Sequence, residues 1–115
     1  MPLTEAELAD ARSSGVRIAE AAVRLYARPA VPAQTWLSAL APVLTARAQT
    51  ALAGGNPAEI PATNVTGPAR AESDEWDTFG TVTVPTDAGD YTVLLARTDV
   101  LAPWRVDRFT PPGAP

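Results

Sequence analysis

Near Pro61 the patterning of the chain changes, and this change limits the possible folds more than any other feature. Before it, apolar residues recur every three or four positions; after it, they alternate. The first spacing lays a stripe along one side of a helix, and the second lays a face along one side of a strand. Helices gathered ahead of strands, rather than interleaved with them, predict an α+β domain with segregated layers.

The helical half opens on Thr4-Glu5-Ala6-Glu7. This is a capping box, in which the Thr4 hydroxyl serves the Glu7 amide and the Glu7 carboxylate serves the Thr4 amide. From there to Arg28 helical spacing is kept by Leu8, Ala11, Gly15 or Val16, Ile18, Ala19, Ala22, Val23 and Tyr26. Glu5, Glu7 and Asp10 start the helix and Arg24 and Arg28 end it, as the helix dipole favours. Pro29 and Pro32 then stop it. A second stretch, 33–52, carries Trp36, Leu37, Leu40, Val43, Leu44 and Leu52. Pro42 lies inside it, where a proline costs about 3 kcal/mol. The expected arrangement is a short helix to Leu40 and a new helix with Pro42 near its first turn. Gly54-Gly55 supplies the left-handed stop.

Four strands are expected next. The first, 63–72, is interrupted by Gly67-Pro68 and suits an edge. The second, 78–85, sets Val82 and Val84 on one face and Phe79, Thr81 and Thr83 on the other. A turn at 86–90 leads to a third strand, 91–97, apolar enough on both faces to be central. The fourth sets Trp104 and Val106 against Arg105 and Asp107. Short connections make the order antiparallel. The predicted architecture is a long N-terminal helix plus two shorter helices packed on a curved four-stranded antiparallel sheet. Residues 1–110 are read as one domain and 111–115 as a flexible, Pro-rich tail.

Composition excludes much chemistry. There is no Cys, His or Lys. Disulfides, thiolate nucleophiles, Cys or His zinc sites, Ser-His-Asp triads, Schiff bases and the P-loop lysine are all removed. No cofactor and no metal is expected. Nine Arg against thirteen carboxylates leave a net charge of −4, which disfavours wrapping nucleic acid. Neither a long apolar run nor a basic segment leading into one opens the chain, so no membrane span or secretory signal is expected. The expected location is cytoplasmic or particle-associated.

Several clusters invite a functional reading. The acidic run Glu72-Ser73-Asp74-Glu75-Trp76-Asp77 would serve as a cation site or a docking patch for an Arg-rich partner, although the calcium-loop spacing is absent. Its simpler reading is a solvated loop with Trp76 folded back onto the sheet. Arg12, Arg17, Arg24 and Arg28 read as the solvated side of the first helix. Trp36, Trp76 and Trp104 read first as core or edge-sealing residues. Where exposed, Trp76, Phe79, Trp104 and Phe109 are the candidate interface residues, because aromatic side chains dominate binding hot spots.

The order of elements resembles the nuclear transport factor 2-like (cystatin-like cone) superfamily. The residues that carry the likeness are Trp36-Leu37 with Leu40 and Leu44, the linker Pro57-Ala58-Glu59-Ile60-Pro61-Ala62, Val65-Thr66-Gly67-Pro68, Val84-Pro85-Thr86-Asp87-Ala88-Gly89 and Trp104-Arg105-Val106-Asp107. Without the hairpin that many members insert between the second and third helices, the chain is similar to the small cone domains of type IV secretion assembly proteins and TcpC-like conjugation proteins. Similar strings recur in small proteins of actinobacterial mobile elements and phages. The resemblance implies helices lying in the hollow of the sheet, with Tyr26, Tyr91, Arg97, Arg105 and Asp107 able to point into a pocket. It also implies self-association through the outer face of the sheet, formed by Phe79, Thr81 and Thr83 or by Val82 and Val84 according to register.

The leading expectation is a non-enzymatic interaction or assembly module of a conjugation apparatus or phage particle, partnered by proteins and itself. The alternative is a small-molecule-binding domain or a proton-transfer enzyme, with Asp107 as base, Tyr91 as electrophilic donor and Tyr26 beside them. A third is an inhibitor or anti-defence protein of a mobile element.

Overall fold

Thr4 opens the first helix as its sequence requires. In the computed structural model, which describes residues 4–73 and 76–113, the Thr4 hydroxyl accepts the Glu7 N–H at 3.1 Å and Glu7 Oε1 accepts the Thr4 N–H at 3.0 Å. Helix α1 runs Glu5–Tyr26 and stops two residues short of the expected Arg28. Pro29 bars the helical conformation at the residue before it, so the last turn closes on Ala27, whose N–H reaches Val23 O at 2.8 Å.

Helix α2 spans Ala33–Leu40 and α3 spans Ala46–Leu52. Pro42 does not start α3. It sits in a separate 3₁₀ turn, Ala41–Val43, after which Leu44 is extended and Thr45 caps α3 by accepting the Ala48 N–H at 3.1 Å. A proline tolerates this tight turn, but its ring cannot pass through a continuous helix. Gly54 ends the segment at φ +80°.

The strands are β1 Arg70–Ala71, β2 Phe79–Thr86, β3 Gly89–Ala96 and β4 Arg105–Thr110. They form one open antiparallel sheet in the order β1-β2-β3-β4. The expected first strand, 63–72, shrinks to two residues plus an isolated bridge between Val65 and Thr86, because Gly67-Pro68 breaks the ladder. Asp87 ties this irregular segment to the β2–β3 turn. Its carboxylate accepts the N–H groups of Thr63 and Asn64 at 2.8 and 3.2 Å and the Thr63 hydroxyl. Those bonds, led by the Thr63 side chain, hold its pKa below the usual carboxylate value. Gly89 closes the turn at φ +111°, a conformation that costs glycine little. Pro112 of the tail rests beside it, and residues 114–115 lie outside the described chain.

Helix α1 crosses the sheet and meets all four strands. Its buried face is small: Ala11, Gly15, Ala19, Ala22 and Val23. Opposite it lie Val82, Val84, Tyr91, Val93, Leu95 and Val106, all buried. Trp76, just ahead of β2, fills the space that the small residues leave. A Cβ added at Gly15 would stand 2.5 Å from Trp76 Cζ3, and one at Gly80 would stand closer still. The Trp76 ring is fully buried, with Trp104 packed edge-on at 5.6 Å. Each indole N–H has an acceptor: Trp76 uses Ser73 O, Trp104 uses Ala11 O and Trp36 uses Tyr26 O, at 2.9, 3.0 and 2.9 Å. Two of the three therefore bond α1 directly.

Gly15→Ala and Gly80→Ala should each destabilise the fold by about 1–3 kcal/mol in urea or thermal unfolding, the usual cost of overpacking. The Gly15 result is the sharper one. In a helix without this contact the same change gains about 1 kcal/mol, so a gain would show that the ring does not occupy that space.

Candidate functional site

The hollow between helices and sheet is occupied by aromatic rings. Tyr26, at the end of α1, stacks on Phe109 of β4 with centroids 4.2 Å apart and planes 19° from parallel. Tyr91 meets Tyr26 edge-on at 6.0 Å, and Trp36 lies tilted against it at 5.8 Å. Such offset and edge-on pairs are favourable beyond the area they bury. Burial raises the Tyr26 phenol above its ordinary pKa, with Tyr91 adding to the effect. Burial also raises Tyr91, helped by the charge of Asp87. Both phenols therefore stay protonated well above neutral pH.

Asp107 is not part of this group. On β4, Val106 pairs with Leu95 and Arg108 with Leu94, so Asp107 is the extra residue of a β-bulge. The insertion resets the alternation of the strand. It allows Val106 and Phe109, an odd number of residues apart, to face the core together. It also turns the Asp107 side chain, 8% exposed, toward α3. There its carboxylate accepts the Thr45 hydroxyl at 2.8 Å and pairs with Arg47. Burial pushes the Asp107 pKa up, but the hydrogen bonds from Arg47 and Thr45 and the Arg47 charge outweigh it, and the net shift is downward. Arg105, on the same strand, does not pair with Asp107. Arg105 donates instead to Pro42 O at 2.8 Å. The structure thus brings Tyr26 and Tyr91 together and commits Asp107 to a tie between β4 and α3.

Arg97 and Arg105 do not point into the hollow either. With Thr45, Ala46, Ala96 and Pro103 they line a cleft of about 420 Å³ at the end of the sheet. Arg97 donates to Asp77 O and Trp76 O at 2.6 and 2.9 Å, and its guanidinium lies 4.2 Å from the centre of the Trp104 ring. This cation–π contact seals the end where the two tryptophans meet. Of the acidic run, Asp74 and Glu75 lie outside the described residues, and Trp76 is folded in. Among the described residues, no group of three or more possible metal ligands gathers, and no helix is long and apolar enough to cross a membrane.

Of the four residues expected at an interface, three are used inside the chain: Trp76 and Trp104 are buried and Phe109 is stacked on Tyr26. Phe79 alone is open, at 60% exposure. It lies on the second face of the sheet with Thr81 and Thr83 of β2 and their partners Thr92, Leu94 and Ala96 of β3. Register therefore puts Phe79, Thr81 and Thr83 on the outer face and Val82 and Val84 in the core. Thr81, Thr92, Leu94 and Ala96 are only half-buried, whereas Thr83 is buried. Arg105 and Arg108 border this face on β4, Arg70 and Glu72 border it on the β1 side, and Asp90 lies at its β2–β3 turn end, 3.6 Å from Arg70. The sequence reading missed Leu94 and Ala96, although the apolar second side of the third strand was their signal. It also missed Thr45 and Arg47, whose partner lies sixty residues away.

Comparison with protein-family models, with curated proteins and with solved structures finds no match to this chain.

Because the folded pKa of Asp107 is depressed, its contribution to stability is fully present above the unfolded carboxylate value, about 3.9. It is lost as pH falls through the lower, folded value. Asp107→Asn should cost about 1–3 kcal/mol at neutral pH, and the gap to the parent should close on acidification below pH ~4. Denaturant unfolding of both proteins across that range checks this; a gap that stays constant would show that the carboxylate charge is not what ties β4 to α3.

Proposed function

We propose that the chain is a non-enzymatic protein-interaction module: a small cone-like domain that joins an assembly through the open face of its sheet. The observation that carries this reading is Phe79. It is a large aromatic side chain held exposed on a regular strand, flanked by Leu94 and Ala96 and rimmed by arginine. Aromatic residues and arginine are the groups that dominate protein-binding hot spots. A rigid strand presents them with little entropy to lose on binding. The order of three helices and then a four-stranded sheet, together with strings such as Val65-Thr66-Gly67-Pro68 and Trp104-Arg105-Val106-Asp107, resembles the cone domains of conjugation machines and the small proteins of phages. The assembly we propose is of that kind.

The interior supports the same reading. A proton-transfer site requires a carboxylate and a phenol within reach of one substrate atom. Here the carboxylate is engaged by Thr45 and Arg47, while the phenols are packed among rings. The residues that would do the chemistry are serving the fold.

A photo-crosslinking residue at Phe79 or Leu94, in the full chain expressed in its host, should yield discrete protein adducts. The same residue at Arg24, exposed on α1, should yield few. Equal labelling from both sides, or none from the sheet, would overturn the assignment of the face.

A further inference from the structure

We propose that the cleft at the end of the sheet is a binding site for a carboxylate borne on a compact apolar group. The end of β3, the loop that follows it, the start of β4 and the start of α3 line it. It lies outside the aromatic hollow, and neither Phe79 nor Leu94 reaches it, so it is independent of any protein bound on the open face. Its volume, about 420 Å³, falls within the range of small-molecule sites, roughly 300–1,000 Å³.

The argument rests on how its two arginines are held. Both are fixed by backbone carbonyls and not by carboxylates. Arg97 Nε and Nη2 donate to Asp77 O and Trp76 O, and its guanidinium lies against the Trp104 ring. Arg105 Nη1 donates to Pro42 O. Among the described residues, neither guanidinium has an ion-pair partner. Asp77 and Asp99 act on Arg97 through their charge but do not line the cleft. Asp107, bonded to Thr45, is already matched by Arg47. The lining therefore holds two cations and no anion. The donors left over have one shape in common: Arg97 keeps its Nη1–Nη2 edge, and Arg105 keeps its Nε–Nη2 edge. Each edge is a pair of parallel N–H groups, the fork that a carboxylate accepts with both oxygens.

Because the fold itself fixes both guanidiniums, a ligand is spared part of the cost of ordering two long side chains. The rest of the lining sets what the carboxylate carries. Ala46, Ala96, Ala102 and Pro103 are small and apolar, and they leave room for a short branched hydrocarbon group. The net charge of −4 works against a polyanion, which would be repelled by the chain as a whole. A singly charged acid with an apolar body is the match. A free branched acid and the C-terminus of a polypeptide that ends in an apolar residue offer the same chemistry, and a direct comparison separates them.

The test is an NMR titration of the isotope-labelled full chain with sodium isobutyrate at constant ionic strength, read on the backbone amides, the Arg97 Nε–H and the Trp104 indole N–H. Saturable shifts should gather at the residues lining the cleft, while equal concentrations of isobutyramide or sodium sulfate leave them in place. Arg105→Gln should weaken binding by about tenfold or more, the usual worth of hydrogen bonds to a charged group. Arg105→Lys, which keeps the charge and loses the fork, should not restore it. Ala46→Leu, which fills the cleft and touches no charge, should abolish it. Both positions are exposed, and a retained cooperative unfolding transition confirms that each variant folds. Shifts that do not saturate, amide or sulfate effects equal to those of isobutyrate, or variants that bind as tightly as the parent would each overturn the site. With the site established, an N-acetylated peptide ending in valine, compared with its C-terminal amide, names the source. Binding of its acid form about tenfold tighter than isobutyrate assigns a chain end, and binding no tighter assigns a free acid.

Discussion

The packing of Trp76 between α1 and the sheet is the contact on which the other layers depend. An α-helix approaches a sheet closely only where its side chains are small, and α1 presents Gly15 among alanines at the crossing point. The sheet answers with Gly80. The indole occupies the volume that both glycines leave empty, so a single side chain from the segment before β2 fixes helix and strand together. Protein interiors are packed like crystals of small molecules, and a ring seated in two glycine gaps leaves no freedom to slide. Trp104, edge-on to Trp76 and bonded to Ala11 O, holds the same helix from β4.

That fixed crossing determines what happens at the far end of α1. Tyr26 emerges where Phe109, Tyr91 and Trp36 converge, and Phe109 reaches it only because the bulge at Asp107 has shifted the alternation of β4 by one. Without the bulge, a strand that buries Val106 would turn Phe109 outward. The bulged residue then points its carboxylate at the start of α3 and secures the third helix. One inserted residue therefore completes the aromatic cluster and attaches a helix, which explains why a carboxylate in this position serves stability here.

Much of this was legible in the chain. The capping box, the alternation of Val82 with Val84 and of Tyr91, Val93 and Leu95, and the glycine of the β2–β3 turn are local signals, and each element they mark is present. The signals that failed are non-local or depend on parity. Gly15 reads as a weak point in a helix until Trp76 is placed beside it. Nothing near Asp107 marks a bulge, since Trp104, Arg105, Val106 and Asp107 alternate as a regular strand would. The partners of Asp107 lie on an element whose start was displaced by Pro42, so neither Thr45 nor Arg47 could be assigned to it. The residues expected at an interface divided for the same reason: burial of Trp76 and Trp104 and stacking of Phe109 depend on α1, whereas exposure of Phe79 follows from simple alternation along β2.

The edges of the sheet are less open than its outer face. On one side, β2 is covered by the irregular strand: Thr66 N–H bonds Pro85 O, Glu72 N–H bonds Thr81 O, and Pro85 has no N–H to offer. Gly67-Pro68 keeps that covering strand from extending. On the other side, Leu44 bridges Val106, Thr45 N–H takes Val106 O at 2.9 Å, and Pro111-Pro112 end β4. Short, proline-limited and covered edges are how sheets avoid adding strands from other chains. With both edges blunted and one face filled by helices, the open face is the one regular surface the sheet has left. Its threonines favour the strand conformation, and Phe79 and Leu94 leave apolar surface on it.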